Sequence, residues 1–252
     1  MKKDSLISGN IGKALLLFVL PLIAGSLIQQ LYTTVDAVIV GQFTGKVGLA
    51  AIDSVHTLFK FPINFMNGLA TGATIMISRY FGAKDKEGLH CAVRTAILLA
   101  GILGIICAAA GAVFSPWLLD IMSVPEEVRT GSLIYCRIYF GGIWAMILYN
   151  MMAGVLRAFG DSKKPLYVLV VCSVVNIVVD LILVGLMHTG VGGAAAATVL
   201  SQIVSVVLTA YFLVKSDFLE EKIGIRTMRI CKEHMGMMIN KGFPLALQSI
   251  LF

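Results

Sequence analysis

The sequence predicts an all-α integral membrane protein: a six-transmembrane-helix bundle followed by the start of a seventh helix. Three observations carry this expectation. Only 13% of the 252 residues are charged and 58% are hydrophobic, with a mean hydropathy of +0.90, whereas soluble domains are about 25% charged. Apolar segments long enough to cross a bilayer recur along the whole chain. Lys and Arg gather in alternate connections between those segments. Each segment reads as helix, because a lipid-exposed open chain would leave its backbone groups unpaired.

Taken in order, the spans are expected at 11–43, 47–81, 87–122, 128–159, 165–187 and 191–214, divided by Gly/Pro clusters and charged breaks. Several exceed the roughly 20 residues that a bilayer needs, so they must tilt, kink or protrude. Pro21, Pro62 and Pro116 are the expected kinks. The first span follows "MKKDSLISGN", with no cleavable signal peptide expected there. Residues 1–214 thus form a six-helix lobe. Residues 215–240 read as a cytoplasmic linker, amphipathic because Met228, Cys231, Met235 and Met238 share one helical face and Arg226, Arg229 and Glu233 another. Residues 241–252, "KGFPLALQSILF", start a seventh span too short to cross. They echo "LPLIAGSL" at 20–27, so a second copy of the unit is expected to begin here and the chain is expected to be half of a larger protein.

The basic residues set the orientation. They occupy the N-terminus (Lys2, Lys3, Lys13), the second-to-third connection (Arg79, Lys84, Lys86, Arg94), the fourth-to-fifth (Arg157, Lys163, Lys164) and the stretch after the sixth span. The opposite connections hold Lys46, Arg129 and the acidic "PEE" at 125–127. The positive-inside rule then puts the protein in the cytoplasmic membrane with both ends of the lobe in the cytoplasm. The net charge of +6 is therefore a topology signal, and no nucleic-acid partner is expected. The five cysteines read as small buried hydrophobes, with no disulfide framework and no zinc site expected. No nucleophile–base constellation points to an enzyme.

Depth then singles out a group of oxygens. Asp180, in "CSVVNIVVDLILV", lies seven residues before the outer end of the fifth span at position 187, and Asp36 seven before the end of the first at 43. Thr198 lies seven residues into the sixth span from the same side. All three fall roughly 10–12 Å below the outer boundary, with Asn176 one turn deeper than Asp180 on the same face. A charged Asp at a span centre is unfavourable by about 2.5–3.5 kcal/mol, which points to a cation or proton site rather than accident. Carboxylate, amide and hydroxyl oxygens suit a hard cation such as Na⁺, and the same carboxylates can exchange a proton; the residue types leave the ion open. Asp53, His56 and Lys60 follow one another at helical spacing along the second span. With Arg137, Gln29, Gln30, Asn64, Asn67 and Asn150 they are candidate liners of a substrate cavity, or helix–helix hydrogen-bonding groups.

The motifs "VDAVIVGQFTG" (35–45), "GLATGATIMISRYFGAKD" (68–85), "GVLRAFGDSKKPLY" (154–167), "NIVVD" (176–180) and "GVGGAAAATVLSQ" (190–202) resemble the N-terminal lobe of the multidrug and toxic compound extrusion (MATE) transporters. The resemblance covers essentially the whole chain. It implies one lobe of a twelve-helix antiporter that exports small organic compounds against Na⁺ or H⁺, with no other cofactor. It also implies a cation site on Asp36, Asn176, Asp180 and Thr198, joined by the backbone carbonyl of Ala194. The expected partners are the lipid bilayer, small-molecule organic substrates and the missing C-terminal lobe. A lipid or lipid-linked oligosaccharide flippase of related fold is the rival transporter, although only Lys60 and Arg137 would supply its cationic cavity. A non-transporting truncated membrane fragment is the rival from another class.

Overall fold

The computed structural model describes residues 11–216 and 231–251, and every described element is helical. Helix α1 covers Ile11–Gly82. Its 72 residues would extend about 108 Å if straight, more than three times the hydrocarbon thickness of a bilayer. The chain folds back instead at Gly45, where φ 69° and ψ −169° require a residue without Cβ. A Cβ placed on Gly41 would stand 3.8 Å from Leu49 Cδ2, although residues eight apart in a straight helix lie about 12 Å apart along the axis. The two arms of α1 are therefore the first and second expected spans.

The remaining spans are α2 (Lys86–Ile121), α3 (Glu126–Ala158), α4 (Lys163–Asp180) and α5 (Gly190–Val214). The caps explain where they start. Asp85 Oδ1 accepts from the Gly88 N–H at 3.0 Å to open α2. In the "LRAFGDSKKP" loop, Gly160 takes φ 79° and Asp161 Oδ1 accepts from the Lys163 and Lys164 N–H groups at 3.2 and 3.1 Å, satisfying free donors of the first turn of α4. Beyond Asp180, α4 continues as a π-helical turn over Leu181–Leu186, a widening that no propensity argument signalled.

Helix α3 is the most buried span and forms the axis of the bundle. The buried Ser132 hydroxyl donates to the Ala51 carbonyl of the second α1 arm at 2.9 Å. Phe59 of the same arm packs on Tyr139 and Phe140, with ring centroids 4.1 and 5.0 Å apart. Outside, Leu16, Leu27, Leu31, Ile105, Val113 and Leu186 are exposed, as suits an outer surface in contact with hydrocarbon chains.

The last described element is α6, Lys232–Leu251, which begins inside the stretch read as linker; residues 217–230, including Met228, lie outside the described residues. Helix α6 lies against the second arm of α1 across a small-residue seam. Gly68 and Gly72 face Ala246 and Gly242 so closely that a Cβ on Gly68 would stand 2.2 Å from Ala246 Cα, and one on Gly72 2.5 Å from Gly242 Cα. This is the small-xxx-small packing that brings helix backbones together where lipid offers no hydrophobic drive. Met238 and Ala246 are fully buried in the seam.

Candidate functional site

Asp36 lies in the first arm of α1, and Asn176 and Asp180 occupy successive turns of α4. The expected convergence is present for these three. Asp180 is 0% and Asn176 1% exposed, with Asp36 half-buried. The carboxylates of Asp36 and Asp180 are direct electrostatic neighbours, and both act on the Tyr135 phenol of α3. Both oxygens of Asp180, Oδ1 of Asp36 and both polar side-chain atoms of Asn176 are buried without a protein hydrogen-bond partner. Buried polar groups are normally paired, and each unpaired one costs about 1–3 kcal/mol. Three residues concentrate five such atoms in one place.

The arrangement has an approach. A cavity of about 220 Å³ runs between the first α1 arm, α3, α4 and α5, and Gln29, Tyr32, Tyr149, Asn150, Arg157 and Asn176 are among its lining residues. Tyr32 and Asn176 lie one helical turn before Asp36 and Asp180 respectively, so the carboxylates sit one turn beyond the cavity's lining on both helices. Asp180 is also the last α-helical residue before the π turn. π turns inside α-helices are frequent at functional sites.

Thr198 and Ala194 differ from this group. On α5 the Thr198 hydroxyl donates to the Ala194 carbonyl at 3.1 Å, and neither is bonded to Asp180. Thr198 borders a separate void of about 10 Å³ beside Tyr139 and Gln202. Of the candidate substrate liners, Gln29 and Asn150 line the cavity. Gln30, Asp53, His56, Lys60 and Arg137 are exposed, and Asn64 and Asn67 are half-buried outside it. The helical spacing of Asp53, His56 and Lys60 puts them on one exposed face, and no ion pair joins them.

Sequence reasoning missed two features. Tyr32, Tyr135 and Tyr139 surround the carboxylates; the signal was their i,i+4 relation to Asp36 and to one another. The cysteine reading needs correction. Cys91 and Cys231 are paired as a disulfide in the structure, with Cα atoms 6.2 Å apart, and His234 lies beside them. The spacing Cys231-x-x-His234 was present in the sequence and was passed over.

The comparisons agree with this architecture. The MatE family model matches residues 21–182. The chain is 32% identical over 248 residues to the probable multidrug resistance protein YoeA of Bacillus subtilis, covering 96% of this chain and 54% of that protein. It is 28% identical over 243 residues to the multidrug export protein MepA of Staphylococcus haemolyticus, covering 96% and 53%. Among solved structures, a MOP superfamily transporter from Pyrococcus furiosus superposes with a TM-score of 0.89 at 30% identity, over 99% of this chain and 55% of that one. A multidrug resistance MATE family transporter in an outward-facing conformation gives 0.90 at 29% identity, covering 99% and 55%. The chain spans about half the length of the curated relatives it matches. With the family model matching residues 21–182 and a relative 32% identical over 96% of the chain, the chain belongs to the MatE family.

Proposed function

We propose that this chain supplies the cation-binding lobe of an efflux antiporter in the cytoplasmic membrane, exporting small organic compounds in exchange for Na⁺ or H⁺ by alternating access. One observation carries the reading: buried Asn176 and Asp180 stand beside half-buried Asp36, and five of their polar atoms lack a hydrogen-bond partner, one turn beyond the lining of a cavity inside the lobe. A bound cation or a proton shared between the carboxylates relieves that cost. The printed names of relatives as multidrug resistance and export proteins support the substrate class. The distribution of Lys and Arg supports a cytoplasmic position for both ends of the lobe. Thr198 and the Ala194 carbonyl stand on the neighbouring helix, and the Thr198 hydroxyl, which donates to that carbonyl, keeps its lone pairs for an ion.

Coupling follows from the first arm of α1, which carries both Asp36 and the cavity-lining Pro21. Proline removes one helical hydrogen bond and permits a bend there. Ion binding at Asp36 and Asp180 biases that arm toward one of two packings, and it does so only by as much as its affinity differs between them. A counterpart lobe completes the path for the substrate.

The test is dye efflux from membrane vesicles containing the protein encoded by the complete gene. An imposed Na⁺ gradient is compared with an imposed proton gradient, for wild type, Asp36→Asn and Asp180→Asn. The expected result is efflux driven by one of the gradients in wild type and lost in both variants, with unchanged membrane insertion. Full efflux by both variants overturns the assignment.

A further inference from the structure

Away from the carboxylates, the cysteine pair and its neighbouring imidazole form a second cluster of chemistry-bearing groups. Cys91 lies near the start of α2, and Cys231 immediately precedes α6. His234 stands in the first turn of α6. One ligand atom from each, two sulfurs and an imidazole nitrogen, lies within 4.8 Å of the others, and all three residues are half-buried. We infer that Cys91, Cys231 and His234 form a thiolate–imidazole site for a zinc-class divalent metal, which clasps the start of α6 to the start of α2.

The structure pairs the two cysteines as a disulfide; in the reduced protein the same two thiolates are placed to hold a metal ion between them. His234 adds a third ligand that a disulfide does not need and a metal ion does. Zn–S and Zn–N bonds of about 2.3 and 2.05 Å at a tetrahedral angle put sulfur and nitrogen about 3.6 Å apart. The Cys91 Sγ to His234 Nδ1 distance is 3.6 Å. The supports are also built. The Tyr80 ring lies 5.1 Å from the His234 ring, tilted by 31°, and the Cys231 N–H donates to Thr95 Oγ1 at 3.1 Å. An open pocket of about 860 Å³, bordered by Asp85, Glu87 and His90 as well as the three ligands, gives a metal ion its way in.

The compartment points the same way, and here the inference rests on the orientation proposed above. The cluster lies on the Lys/Arg-rich side, which that reading places in the reducing cytoplasm, where cysteines persist as thiols. Thiolates with imidazole favour zinc over hard cations such as Na⁺ or Mg²⁺, so this site and the carboxylate site take different ions.

The experiment uses the full protein, purified in detergent under a thiol-sparing reductant and titrated with Zn²⁺ and with Co²⁺. The expected result is one bound Zn²⁺ per chain and, with Co²⁺, a thiolate-to-cobalt charge-transfer band. Cys91→Ser, Cys231→Ser and His234→Ala should each weaken Zn²⁺ binding by more than the ~100-fold that loss of an outer-shell partner brings, while Cys107→Ser leaves it unchanged. If a variant does not fold, the wild type still decides: Zn²⁺ should slow maleimide labelling of Cys91 and Cys231, and a chelator should restore it. Absence of the cobalt band, labelling indifferent to Zn²⁺, or a Cys91–Cys231 disulfide in protein isolated from cells without oxidation each overturns the inference. Metal binding is read without any transport measurement, so failure of the efflux reading and failure of this one are separately visible.

Discussion

The seam between α1 and α6 makes a prediction whose size follows from the coordinates. A methyl on Gly72 would stand 2.5 Å from Gly242 Cα and 2.7 Å from Gly242 N; on Gly68 it would stand 2.2 Å from Ala246 Cα and 2.4 Å from Ala246 N. Carbon atoms in favourable contact sit about 3.5–4.0 Å apart, so either alanine must push two backbones apart by roughly an ångström or more. The obstacle is main chain, and no rotamer change relieves it. Overpacking of this kind costs about 1–3 kcal/mol, and the seam also loses the close backbone approach that holds apolar helices together in lipid. Gly101 in α2 is the matched control, since a methyl there meets nothing within 4 Å and alanine is the better helix former. Reversible unfolding of the protein in mixed micelles, Gly68→Ala and Gly72→Ala against Gly101→Ala, reads the difference. Stabilities of all three variants within a few tenths of a kcal/mol of one another would refute the seam.

Three smaller predictions follow from single contacts. Ser132→Ala removes the buried donor to the Ala51 carbonyl and should lower stability by about 1–3 kcal/mol in the same unfolding assay, because a buried acceptor is left unpaired. Arg129→Gln breaks the ion pair with Asp120, whose side chains are 32% and 55% exposed. It should change stability little, and less still at high salt, in the same assay. Asp161→Ala removes the acceptor for the first N–H groups of α4 and should cost about 0.5–2 kcal/mol, read as faster hydrogen exchange in that turn.

Much of this architecture was legible in the sequence because bilayer physics leaves few choices. A chain with six apolar stretches and alternating basic connections has one economical arrangement, and the two arms of α1 with α2 to α5 follow it. The convergence of Asp36 and Asp180 was readable for the same reason: once the helices are fixed across one slab, position along the sequence becomes depth. Contacts that depend on which faces meet were not readable. Thr198 is expected from the sequence at the depth of the aspartates, but its hydroxyl bonds back to Ala194 on its own helix, a choice that period and depth do not decide. The π turn after Asp180 was invisible because "LILVGL" suits an α-helix equally well. Cys91 and Cys231 are 140 residues apart, and only the docking of α6 on the bundle brings them together.

The placement of Asp180 at the junction between α-helix and π turn links its burial to its proposed work. An α-helix aims side chains about 100° apart, and the insertion in a π turn rotates everything beyond it relative to what precedes it. Asn176 and Asp180 precede the change, with Asp180 beside Asp36; Gly185, within the turn, lies close to Phe43 near the Gly45 end of the first α1 arm. The first arm of α1 therefore meets α4 at two levels, one polar and unpaired, one apolar and packed. In the proposed reading, an ion at the polar level would strengthen that contact, and its loss would leave only the apolar contact to hold the arm. Such a site would couple ion occupancy to the position of a single helix, since α3 keeps its own buried contacts with the second arm through Ser132 and Phe59.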